Sequence, residues 1–208
     1  MSLLDVSKSW SPRRYPSKQI LIYAGDNVNQ LHYISKGFIK IYSITDEGDE
    51  RILLILKPQD MFPLLRDPEK TEHLSLYFYS SMTNVETYNA NLAEIMDDLK
   101  DNPRETWELL RYISEFSNTL GKRLSQLESK KASEKLSNLF SYLIQICGTP
   151  TKLNAYVLSL KITQQEIANL VGLTRETVSK EMKKLENENK VAYHEGRLIV
   201  SAKYLEPQ

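Results

Sequence analysis

The sequence predicts an α+β fold in three parts: a strand-rich N-terminal region, a long helix, and a C-terminal unit of two short helices with a hairpin. Three observations carry this. Between residue 18 and about residue 89, short β-branched and aromatic runs alternate with turn pairs. From Pro103 to about Ser129 the apolar residues recur at helical spacing, no further Pro interrupts, and Gly occurs only at 121. From Thr163 to Lys180, one capped helix, a glycine and a second capped helix follow in close order.

The strands come first. Ile20-Leu21-Ile22-Tyr23 is a short apolar run ended by the turn pair Gly25-Asp26. Leu31 to Ser35 and Phe38 to Ile44 form two strands with Gly37 between them. Phe38, Lys40 and Tyr42 alternate with Ile39, Ile41 and Ser43, so one face is wetter than the other. Thr45 to Asp49 is a hairpin turn, in which Gly48 supplies positive φ, and Arg51 to Leu56 is the return strand. Its run Ile52 to Leu56 predicts burial on both faces. Pro58-Gln59-Asp60 marks the next turn, and Leu74 to Ser81 and Val85 to Tyr88 close the set. Short strands at even spacing predict a barrel or sandwich.

The period changes after residue 90. Leu92 to Leu99 reads as a short helix, and Pro103 starts a longer one at a position that tolerates proline. Leu110, Ile113, Ser117, Leu120, Leu124 and Leu127 form an a/d seam of nearly three heptads. Leu109, Tyr112 and Phe116 form a second apolar face beside it. Two apolar faces suit two partners, the helix's own barrel and a second subunit. Ala132 to Cys147 is a further amphipathic helix, with Gly148 as its cap and Pro150 as a stop. The expected domains are 1–100, a β domain; 101–131, a dimerisation helix; and 132–208, a winged helix pair.

The C-terminal unit carries the chemistry. Thr163 and Glu166 form a capping box, and Ile167, Leu170 and Val171 supply the core face of the first helix. Ala168 is small where two helices must approach, and Gly172 gives the tight turn of a helix-turn-helix. Thr174 caps the second helix, which buries Val178, Met182 and Leu185. Arg175, Glu176, Ser179 and Lys180 then project outward near its N-terminus, where a recognition helix meets a major groove. Arg can donate twice to guanine, Glu can accept from cytosine, and Lys can reach a guanine or a phosphate. Val191 to Tyr193 and Leu198 to Ser201 flank His194-Glu195-Gly196-Arg197, a two-stranded wing with Arg197 near a phosphate. Double-stranded DNA is therefore the expected partner.

These motifs resemble bacterial regulators of the cyclic-AMP receptor protein and fumarate–nitrate reductase regulator (Crp/Fnr) superfamily, over residues 18 to 205. The resemblance rests on Ile162 to Ile167 with Gly172 and Thr174 to Ser179. It rests also on Tyr23 to Asp26, Gly37 to Tyr42, Glu47-Gly48 and Pro58 to Phe62. It implies a cyclic-nucleotide-binding-like β-roll, a double-stranded jelly roll, at the N-terminus. It implies a homodimer joined by the long helix, with two winged domains on a two-fold site. Arg175, Glu176 and Lys180 align with base-reading positions, and Ser179 with one that varies among subfamilies. Thr163 and Gln165 align with backbone contacts. RNA polymerase would be a partner of an activator. Glu181 departs from the pattern, because the family buries an aliphatic residue there. A buried unpaired carboxylate is costly, so either the helix turns slightly or Glu181 finds a basic partner.

The cyclic-nucleotide branch of that family carries a Gly-Glu-Leu for the ribose and an Arg for the cyclic phosphate. Here the matching stretch is Phe62-Pro63-Leu64-Leu65, the Arg position falls near His73-Leu74, and Arg66 comes too early. Without those groups a cyclic phosphate is poorly neutralised, so tight cyclic-AMP binding is not expected. Phe62, Leu64 and His73 mark the candidate pocket of an unidentified effector. The single cysteine, Cys147, excludes an iron–sulfur cluster. Haem would need axial ligands from His32, His73, His194 or Cys147, each of which also reads as an ordinary structural residue. The run Leu76-Tyr77-Phe78-Tyr79 either lines the pocket or fills the barrel core. A cupin-like metalloenzyme is the rival of another class, but the histidines are scattered and no catalytic residues or metal site stand out.

The balance of 27 Lys+Arg against 27 Asp+Glu resists DNA binding only at first sight. Residues 149–208 hold 9 Lys+Arg and 7 Asp+Glu, and the rest of the chain is correspondingly acidic. No apolar run is long enough for a membrane span, and Met1 to Arg14 holds no apolar signal core, so a cytoplasmic location is expected.

Overall fold

A computed structural model describes residues 10–63 and 74–205. They divide into two compact units: one up to Ser43 together with Leu53–Leu120, the other Ile44–Ile52 together with the chain from Gly121 onward.

The first unit is a two-sheet β-roll followed by helices. One sheet has the order β1-β8-β3-β6, formed by Ser11–Tyr15 (β1), Val85–Asn91 (β8), Gln30–Lys36 (β3) and Met61–Phe62 (β6). The other has the order β2-β7-β4-β5, formed by Ile20–Ile22 (β2), Phe78–Ser81 (β7), Ile39–Ile44 (β4) and Glu50–Leu56 (β5), whose first residues belong to the second unit. The paired strands given a register are antiparallel. Strand β1 lies at a sheet edge against β8, which accommodates Pro12. Only Phe78–Ser81 of the expected Leu74–Ser81 strand is extended in the sheet; Leu74 makes an isolated bridge with Asn27, and Leu76 is exposed. The turns follow the sequence. Gly48 has φ +86° between Thr45 and Asp49, and Gly37 has φ +90° against the Asn84 carbonyl, where a side chain has no room.

Alternation sorts β3 onto two faces. Leu31 packs outward with Trp10, Met61, Ala90, Ile95 and Leu99. His32 points to the opposite face, where its ring stacks on Phe62 at 4.6 Å and Phe62 stacks on Tyr79 at 5.6 Å. Burial pushes the His32 imidazole down to about 4, against a hydrogen bond with Asn89, so it is neutral at pH 7. Helix α1 spans Leu92–Asp101, capped by the Asn91 side chain. Helix α2 spans Pro103–Leu127 and continues from the first unit into the second at Gly121. Among the described residues no helix is long and apolar enough to cross a membrane.

The second unit contains the end of α2, helix α3 (Ala132–Cys147), helices α4 (Gln164–Val171) and α5 (Arg175–Asn187), and a short α6 (Ala202–Leu205). Its sheet has four strands in the order β11-β12-β10-β9: Val191–His194, Arg197–Ser201, Ala155–Leu158 and Gly148–Pro150. The expected two-stranded wing is thus half of a larger sheet. Gly148 does end α3, but with φ −83° and not in the left-handed form. Its small size is needed because a Cβ would lie 2.7 Å from the Ile144 backbone. Gly148–Pro150 is itself strand β9, so the stop expected at Pro150 lies within a strand. Leu136, Leu139, Phe140 and Leu143 of α3 are buried, as are Ile167, Leu170, Val178 and Met182 of the two helices that α3 contacts.

Candidate nucleic-acid interface

Local sequence sets the helix pair. The Thr163 hydroxyl accepts from the Glu166 N–H at 3.1 Å, and the Glu166 carboxylate accepts from the Thr163 N–H at 2.8 Å, closing the capping box of α4. Gly172 ends α4 with φ +66°, and its N–H donates to the Ala168 carbonyl. A β-carbon-bearing residue would be strained at that φ. Two residues later Thr174 caps α5 by accepting from the Thr177 N–H at 3.2 Å. Ala168 is fully buried, and α4 and α5 are in contact. The helix-turn-helix predicted from these residues is formed.

Helix α5 is two-faced. Val178, Met182 and Leu185 are buried, while Arg175, Glu176, Ser179 and Lys180 are exposed. All four lie in the first two turns, at the positive end of the helix dipole, which favours an approaching phosphate. A guanidinium, a carboxylate, a hydroxyl and an ammonium on one short face are the groups that read base edges. Glu181 lies at the half-exposed flank, and Met182 takes the buried position. Glu181 is therefore not a deeply buried carboxylate, and Lys180 is exposed.

The flanking groups converge on the same unit. Thr163 and Gln165 are exposed at the start of α4. The Thr163 hydroxyl also donates to the Glu166 carboxylate at 2.8 Å, so its proton is engaged within the cap. Gln165 donates from Nε2 to Asn169 Oδ1 at 2.8 Å, and Asn169 donates from Nδ2 to Glu50 Oε1 at 3.2 Å. Glu50 stands on the hairpin tip Ile44–Ile52, a pairing invisible in sequence because the two residues are far apart in the chain. At the wing, Glu195 and Gly196 turn with positive φ, and exposed Arg197 opens β12 opposite His194. The Lys161 ammonium lies beside Gly196 and adds a cation that the motif reading missed.

Most seam residues of α2 are exposed among the described residues. Leu110, Ile113 and Leu124 are 53%, 44% and 66% exposed, Ser117 is exposed, and Leu120 and Leu127 are half-buried. Trp107, one turn before Leu110, is 70% exposed and extends this face. The second apolar face does bind the β-roll: Leu109 and Tyr112 pack on the outer cluster, and the Tyr112 hydroxyl accepts from the Met61 N–H at 2.9 Å. Of the candidate pocket residues, Phe62 is fully buried in the aromatic stack, while Leu64 and His73 lie outside the described residues. A separate apolar cavity of about 250 Å³ lies between Leu31, Met61, Pro63 and the Tyr112, Phe116 and Leu120 side of α2. Cys147 is buried, and burial pushes its thiol pKa up, which suppresses thiolate chemistry.

Comparison with known proteins finds two family models. The cyclic nucleotide-binding domain matches residues 12–67, and the Crp-like helix-turn-helix domain matches residues 137–206. The chain is 24% identical over 189 residues to the global nitrogen regulator of Nostoc sp. (strain PCC 7120 / SAG 25.82 / UTEX 2576), covering 89% of this chain and 83% of that one. It is 28% identical over 188 residues to the cAMP-activated global transcriptional regulator CRP of Salmonella typhimurium, covering 90% and 87%. Among solved structures, FixK2 from Bradyrhizobium japonicum superposes with a TM-score of 0.79 at 15% identity, over 94% of this chain and 95% of that one.

Proposed function

The chain belongs to the Crp/Fnr family of transcription regulators, and from that premise we propose that it acts as a homodimer reading an inverted-repeat operator through α5. The family is one of regulators and not of enzymes, and the helix-turn-helix is its DNA-binding part.

One observation carries the reading. Helix α5 buries its apolar stripe and leaves Arg175, Glu176, Ser179 and Lys180 exposed together at its N-terminal end. Insertion of that end in the major groove brings Gln165, Thr174 and Arg197 toward the flanking phosphates. Thr163 acts through its cap, which orients Gln165 at the first turn of α4. The exposed seam of α2 supports pairing with a second copy, which places the half-site centres about one helical turn, ~34 Å, apart. The reading extends over a β-roll sensor within 1–100, a dimerisation helix within 101–131 and a reader within 132–208.

The effector differs from cyclic AMP in this reading. Among the described residues of the first unit no buried side chain is cationic, and the imidazole nearest the aromatic stack is neutral. The described residues of that unit thus offer a cyclic phosphate no buried cation. The cavity beside α2 offers apolar walls to a small molecule instead. Contact with RNA polymerase belongs to the reading only for an activator.

Selection of bound DNA from a random library, with and without cell extract, tests the proposal. The expected product is a two-fold symmetric site. Enrichment of no sequence under either condition would overturn it.

A further inference from the structure

The second unit contains a buried arginine whose placement is unusual. Arg123 stands on α2 between exposed Lys122 and exposed Leu124, yet it is only 3% accessible. Its Nη2 donates to the Leu170 carbonyl in the last turn of α4, and its guanidinium lies 5.1 Å from the centre of the Tyr142 ring on α3. Its Nε finds no acceptor among the described residues, and no carboxylate among them pairs with it. Burial of the charge lowers its pKa, and the neighbouring Tyr142 only partly offsets that.

For stability alone this is a poor choice. A methionine or leucine would fill the same space without desolvating a cation. An arginine adds what an apolar residue lacks, namely a directional bond to one carbonyl. That carbonyl is well chosen. The last carbonyls of an α-helix have no partner within the helix. Arg123 of α2 takes the one on Leu170, and Lys135 of α3 takes the next, on Val171, at 3.2 Å. Gly172 follows, and α5 begins at Arg175. The end of the dimer helix is therefore fastened to the turn from which the recognition helix departs.

We propose that Arg123 is a positioning residue that sets which operator half-site spacing the dimer accepts. The inference rests on the reading above, that the chain binds DNA as a dimer paired along α2. In such a dimer the separation of the two α5 helices depends on where each reader is fastened to its own α2. Arg123 touches no base, and its effect is on geometry.

The test compares wild-type protein with Arg123→Met and Arg123→Lys on the selected operator, and on versions with two base pairs added or removed between the half-sites. Each insertion or deletion rotates one half-site by about a fifth of a turn. The wild type should bind the altered spacings at least about tenfold more weakly. Arg123→Met should stay dimeric by sedimentation and lose most of that discrimination. Arg123→Lys keeps a donor but not the planar fork, and should lose part of it. If Met does not fold, the Lys variant alone decides, because a merely structural defect weakens all spacings equally. A folded variant that retains full spacing discrimination would overturn the inference. Failure of the wild type to bind any two-fold site would overturn the operator-binding reading itself, and this inference with it.

Discussion

The Tyr112 hydroxyl accepts from the Met61 backbone N–H at 2.9 Å and donates to the Met61 carbonyl at 3.4 Å, which joins the long helix to the short strand β6. Tyr112 is half-buried, and burial raises its phenol pKa far beyond the range in which it would titrate. The phenol is thus a neutral, permanent acceptor. The bond matters because Met61 is itself buried, so its N–H has little access to water.

Tyr112→Phe removes the acceptor and leaves the ring. The expected cost is about 1–3 kcal/mol, the penalty of an unsatisfied buried donor. Urea unfolding of the variant and the wild type at pH 7.5 measures it. A loss within experimental scatter would show that the Met61 N–H has another acceptor.

The buried imidazole predicts an acid-sensitive stability. Unfolded, His32 has the ordinary pKa of 6.5; folded, burial holds it to about 4. Above pH 6.5 both states are neutral and nothing is lost. As pH falls from 6.5 toward 4, the unfolded chain takes up a proton that the folded chain refuses, and stability drops by about 3 kcal/mol in total. Below about pH 4 the term is flat. Asp60, whose carboxyl is raised by burial, works in the opposite direction in any variant that retains it. The comparison of wild type with His32→Gln therefore isolates the imidazole. Denaturation at pH 7.5 and pH 5 should show a steeper loss in the wild type; equal slopes would refute it.

The seam of α2 predicts the assembly state. Leu124 is two-thirds exposed and Leu120 half-buried within one chain, which leaves a large apolar face to water. Replacing both with Asp places four carboxylates across a paired helix. The expected outcome is a monomer in sedimentation and the loss of specific DNA binding, with the circular dichroism of the folded chain retained. A wild type that sediments as a monomer at micromolar concentration would remove the basis for the prediction.

Sequence reading worked best where the determinants are local. The capping box at Thr163, the positive φ of Gly172 and the Thr174 cap depend on residues a few positions apart, and all are formed as expected. It failed where pairing is remote. Strand β1, Ser11-Pro-Arg-Arg-Tyr15, is polar and holds a proline, so nothing local marks it; its hydrogen bonds to β8 and its edge position create it. Gly148 to Pro150 has the composition of a loop, and β10 recruits it to the sheet. Leu74 to Tyr77 has strand composition, yet only the part from Phe78 meets partner strands. Arg123 has no local signal of burial in the sequence; its neighbours on α3 and α4 create it. The Gln165, Asn169 and Glu50 chain was hidden for the same reason.

The base-reading role separates Arg175 from its neighbours. Arg175 and Lys180 are both exposed cations on α5, and both would lower affinity if removed. Their expected signatures differ. An Arg that donates twice to one guanine supplies about 1–3 kcal/mol of discrimination against other bases at that position. Arg175→Ala should therefore weaken the selected operator and leave a half-site mutant at that guanine almost unaffected, so that preference at one position collapses. A cation that only neutralises a phosphate weakens all sequences alike and lowers the salt dependence of binding by about one counterion per half-site. Binding isotherms for each protein on the operator and on its single-base variants, at two salt concentrations, distinguish the two. If Arg175→Ala lost affinity uniformly and with a shallower salt dependence, its contact would be with the backbone, and the reading of the half-site would fall to Glu176 and Lys180.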